Sequence, residues 1–71
     1  MKSKNPADIF VSILRDKRTD MGLSQEQLAK QLGLQSHVIP EWESGKRYPR
    51  LATALKWAHA LGVKIELRGH V

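Results

Sequence analysis

Glycines at positions 22, 33, 45 and 62 punctuate this chain, and each comes just after a stretch whose apolar residues recur three or four apart. That period is helical, and a glycine just past it is a helix stop. The chain is therefore held to short helices joined by tight turns. The first begins at Asn5-Pro6-Ala7-Asp8, where Asn5 caps, Pro6 sits where its missing N–H is harmless, and Asp8 lies near the positive end of the dipole. It runs to about Asp20, with Ile9, Phe10, Ile13, Leu14 and Met21 as its apolar stripe.

Ser24-Gln25-Glu26-Gln27 is a capping box that opens a second helix, whose Leu28, Ala29 and Leu32 face inward before Gly33. A third helix is expected from roughly Ser36 to Ser44, with apolar Val38, Ile39 and Trp42 at helical spacing. A fourth is expected from Leu51 to Leu61, with Leu51, Ala54, Leu55, Ala58 and Leu61 on one face and Trp57 at its edge. After Gly62 the period changes. Val63, Ile65 and Leu67 alternate with Lys64, Glu66 and Arg68, which is a strand pattern.

With 71 residues the chain makes one domain and buries too little surface for a large private core, so partners or symmetry mates are expected to add stability. A net charge of +5 favours a polyanionic partner. The chain has no cysteine, hence no disulfide and no thiolate metal site. Met1-Lys2-Ser3-Lys4 leads into Asn-Pro and not an apolar leader, and no run approaches the roughly 18 apolar residues of a membrane span. A cytoplasmic protein with no membrane partner is expected. His37, His59 and His70 fall on different elements without ligand spacing, so no metal is expected. No nucleophile arrangement is recognisable, and neither a cofactor nor enzyme activity is expected.

The second and third helices, joined by a short glycine turn, have the layout of a helix-turn-helix, in which one helix crosses the phosphate backbone and the next enters the major groove. The stretches "GLSQEQLAKQLGLQSHVIPEWESGKRYP" and "LATALKWAHALGV" resemble the XRE family of lambda-repressor-like DNA-binding domains over about residues 10 to 63. The resemblance implies a mainly α fold, a four-helix helix-turn-helix domain over residues 5–62. Residues 1–4 are expected as a flexible arm, and the alternation after Gly62 leaves residues 63–71 as an expected strand and tail.

It also implies roles. Gln25 matches a glutamine that contacts phosphate and braces the recognition helix. Ser36, His37, Pro40 and Glu41 fall at base-facing positions, and Lys46, Arg47, Tyr48 and Arg50 on a loop that touches phosphates. Arg18 is expected to pair with Glu43 in a partly buried ion pair that locks the first helix against the end of the third.

Pro40 departs from the family, where a polar residue commonly reads a base. It has no donor, which leaves it contact with a thymine methyl, while His37 has a donor for guanine and Glu41 an acceptor for cytosine. If Ser36 is the first helical residue, Pro40 is the fifth and one hydrogen bond to the Ser36 carbonyl is lost. Either the helix keeps a distorted first turn, or it begins near Ile39 and leaves residues 35–38 extended.

A lone strand is unstable in water. Antiparallel pairing of Val63, Ile65 and Leu67 with a second copy, with Trp57 supplying an adjoining apolar seam, is the simplest completion, and a homodimer also suits a palindromic double-stranded DNA site. Strand-mediated dimers of this layout resemble the HipB-type antitoxins, which implies a toxin protein as an alternative partner. A third reading is a protein-interaction module that keeps the fold without base readout.

Overall fold

The Asn5 side chain accepts a hydrogen bond from the Asp8 N–H at 2.9 Å and starts α1, Pro6–Asp20, with Pro6 in the first turn. The computed structural model describes residues 5–66, in which α1 is followed by α2 (Gln25–Leu32), α3 (Val38–Glu43) and α4 (Leu51–Ala60). The capping box is complete at the start of α2. Ser24 Oγ accepts from the Gln27 N–H, and Gln27 Oε1 accepts from the Ser24 N–H. Gly33, at φ 71°, then turns the chain left-handed, and the Leu34 N–H closes the helix end by donating to the Ala29 carbonyl.

α3 packs against both α1 and α2, and α2 against α4, around one small core. Val11 and Leu14 enter it from α1, Leu28 and Ala29 from α2, Ile39 and Trp42 from α3, and Trp57 and Ala58 from α4, with Leu61 just beyond. Trp57 is 0% exposed. Its ring lies 5.1 Å from that of Trp42 and edge-on to Phe10 at 6.3 Å. The indole N–H meets no acceptor among the described residues, so packing alone holds the ring.

Three expectations from sequence are corrected here. Ile9, Ile13 and Met21, assigned to the inward stripe of α1, are exposed, while Val11 takes the buried place beside Leu14. On α4 the buried face is rotated toward Trp57, so Leu51 and Leu55, expected inward, are 74% and 43% exposed. Trp57, read as a core or interface residue and offered as part of a dimer seam, is a core residue closed inside the single chain, with no exposed surface for a seam. The small Ala54 and Ala58 flank Trp57 on the buried face of α4, leaving room for the large ring that fills the centre of a core this small.

The described residues contain no strand. Residues 63–66 form no regular element, although Val63 and Ile65 are half-buried against the core. Leu67 and the arm of residues 1–4 lie outside the described residues.

Candidate nucleic-acid interface

The interface is built outward from α3, which has only six residues. A helix this short does not hold itself, because nucleation fixes several residues for one hydrogen bond. Its start differs from the expected Ser36. The Val38 N–H donates to the Gln35 carbonyl at 3.1 Å, an i to i+3 turn around Ser36 and His37, and α3 proper begins at Val38. Pro40 is thus its third residue, where no intrahelical donor is required of it. The segment before it is a turn with His37 in the right-handed region, not an extended strand.

The far end of α3 is anchored. Arg18 Nε and Nη2 donate to the two carboxylate oxygens of Glu43 at 2.6 and 3.0 Å, and Arg18 Nη1 donates to the Leu23 carbonyl at 2.6 Å. Gln25 Nε2 donates to Glu43 Oε1 at 3.0 Å. The Arg18 and Glu43 side chains are 11% and 5% exposed, so this three-helix junction is a bidentate, shielded pair with a neutral third partner. Gln25 therefore reaches from the start of α2 to the end of α3.

Beyond Glu43 the chain turns at Gly45, φ 80°, and the N–H groups of Lys46 and Arg47 both donate to the Glu41 carbonyl. The loop that follows is folded back on α3. Lys46, Arg47, Tyr48 and Arg50 are exposed. Arg47 Nε lies 3.6 Å from Glu41 Oε1, and the Tyr48 hydroxyl donates to Asp8 Oδ1 at 2.5 Å. That hydrogen bond, with partial burial and the Asp8 charge, holds the Tyr48 phenol above its ordinary value of 10.0, against a smaller opposite effect of Asn5. α4 then begins at Leu51 with no side-chain cap and no acidic residue in its first turn.

Of the base-facing candidates, Ser36 and His37 are exposed, and Pro40 and Glu41 are half-buried. Missing from the sequence reading were the two intramolecular ties, Arg47 to Glu41 and Tyr48 to Asp8. Only the first had a local signal, in the opposite charges six positions apart across a glycine turn.

A helix-turn-helix family model matches residues 14–67. The chain belongs to the XRE family of helix-turn-helix DNA-binding domains. It is 37% identical over 59 residues to multiprotein-bridging factor 1c of Arabidopsis thaliana, covering 83% of this chain and 38% of that protein. It is 35% identical over 57 residues to the cryptic phage CTXphi transcriptional repressor RstR of Vibrio cholerae, covering 80% of this chain and 51% of the repressor. The XRE domain thus spans about two fifths to one half of these longer relatives. A HipB–O2 20mer complex superposes with a TM-score of 0.78 at 20% identity, over 97% of this chain and 96% of that one, a likeness of fold. Within the described residues no helix is long and apolar enough to cross a membrane.

Proposed function

We propose that this XRE domain is a cytoplasmic, sequence-specific regulator of transcription that binds a palindromic site in double-stranded DNA as a homodimer and represses from it. The observation that carries the reading is the asymmetry of α3. Its C-terminal end is fixed in the core by Trp42 and by the Arg18–Glu43–Gln25 junction, while Ser36 and His37 at its start are exposed. A cationic loop is folded back against the same helix. Fixed orientation, an exposed reading edge and adjacent cations are what groove recognition requires.

In this reading Ser36, His37, Pro40 and Glu41 meet base edges. Gln25, Lys46, Arg47, Tyr48 and Arg50 meet phosphates, and the uncapped start of α4 offers further backbone donors. Each phosphate neutralised adds a slope of about −0.9 to the log–log dependence of affinity on salt. The dimer forms through residues 63–67. Exposed Leu51 and Leu55 lie with Ile65 along one apolar groove, which is support for a second copy seated there in place of Trp57.

A protein-interaction module is the second reading, favoured by that same groove and by the multiprotein-bridging factor among the relatives. A toxin-binding role rests on layout alone and predicts a toxin that co-purifies. The deciding experiment is a genomic-fragment binding selection at two salt concentrations with the wild type, Arg47→Ala and His37→Ala. The regulator reading expects a palindromic site, weakened broadly by Arg47→Ala and at particular bases by His37→Ala. Recovery of no enriched sequence at either salt sinks it and leaves the interaction module.

A further inference from the structure

Glu41 and Arg47 are joined twice. The Arg47 N–H donates to the Glu41 carbonyl at 3.2 Å, and the Arg47 guanidinium Nε lies 3.6 Å from the Glu41 carboxylate. The Glu41 side chain is on α3 and only 26% exposed, whereas the Arg47 side chain is on the loop and 74% exposed. A half-buried anion therefore faces an exposed arginine of the cationic loop. Glu41 was read from sequence as a base contact and Arg47 as a phosphate contact, and the two roles are linked by this pair.

We infer that Glu41 is a specificity-determining residue that acts by withholding Arg47 from phosphate wherever no base amine takes its carboxylate. This rests on the DNA-binding reading above. On a mismatched sequence the pair persists, and a phosphate must compete with Glu41 for the guanidinium. At a site where a cytosine or adenine amine donates to the Glu41 carboxylate, the anion is satisfied by the base and Arg47 is released to the backbone. Sequence-indifferent affinity is thereby held down, and the gap between matched and mismatched DNA widens. The backbone bonds to the Glu41 carbonyl stay intact when its side chain changes, so the effect is separable from the fold of the loop.

The test is a double-mutant cycle with Glu41→Gln, Arg47→Ala and the double variant in the full chain. Affinity for a mixed-sequence 20-bp duplex is read by fluorescence anisotropy at low salt, and circular dichroism confirms that each variant is folded. A partly exposed pair of this kind predicts that Glu41→Gln tightens mixed-sequence binding by about two- to five-fold. The tightening is absent in the Arg47→Ala background. An equal gain in both backgrounds shows that Glu41 merely repels phosphate, and overturns the inference, as does an unchanged or weaker Glu41→Gln. The regulator reading fails separately, and the inference with it, if the wild type binds no duplex and Arg47→Ala changes nothing.

Discussion

The two ends of α3 are held by different means. At its C-terminal end Glu43 accepts from Arg18 and Gln25, Gly45 supplies the left-handed turn, and Trp42 enters the core against Trp57. At its N-terminal end there is one turn bond from Val38 to Gln35, a 3.3 Å bond from Glu41 to His37 and no side-chain cap. A six-residue helix so short of internal bonds takes its orientation from the anchored end. The lesson is a division of labour along one helix: the anchored end carries the fold, and the exposed start at Ser36 and His37 carries almost none of it.

The contrast breaks first, and by most, at the anchor. Arg18→Ala leaves the shielded Glu43 carboxylate with Gln25 alone, and removal of one partner from such a pair costs about 3–5 kcal/mol. Urea unfolding should show this as a lower midpoint, and an Arg18→Met, Glu43→Leu double variant should recover most of the loss. A fall below about 1 kcal/mol for Arg18→Ala would show that the anchor does not carry α3.

Next in size is Gly45→Ala. A Cβ there meets nothing closer than 3.8 Å, so the cost is the left-handed backbone itself, about 1–2 kcal/mol. Thermal unfolding measures it. A near-zero effect would mean that the turn relaxes and that the loop is not set by the end of α3.

The legibility of these features in sequence follows from their range. Asn5 and Ser24 act on groups three residues away, so both caps could be read from local order alone. Arg18 and Glu43 are 25 positions apart, and no periodicity joins them; resemblance to the family brought them together. Helical period located α1 and α4 but not which edge of each stripe turns inward. Val11 displaces Ile9 and Ile13, and Trp57 displaces Leu51 and Leu55, because core volume decides between neighbouring apolar positions. Alternation after Gly62 predicted a strand, but among the described residues no other strand is present to pair with it, and residues 63–66 carry no regular structure.

At the free end, Pro40→Ala tests whether the proline strains the helix. In a helix interior its replacement would gain about 3 kcal/mol. At the third position of α3 it interrupts no bond, and it still restricts the unfolded chain, so Pro40→Ala should lose stability by less than about 1 kcal/mol. The sign of the change in a chemical denaturation series is the decisive readout. A gain would place Pro40 inside a helix that starts at Ser36.

The smallest effect lies where the loop is tied to α1. The native chain favours the neutral phenol of Tyr48, which donates to Asp8, so its value lies above the ordinary 10.0. The linked stability is fully present below pH 10.0 and is lost as pH rises through the raised folded value, when the phenolate faces the Asp8 carboxylate. The stability difference between wild type and Tyr48→Phe should be constant up to about pH 10 and then shrink or reverse. Denaturation midpoints of both proteins across the alkaline range check this. A difference that stays flat would mean that the hydroxyl leaves Asp8 in solution, so that the loop is held to the fold through its backbone bonds to Glu41 and the Arg47–Glu41 pair.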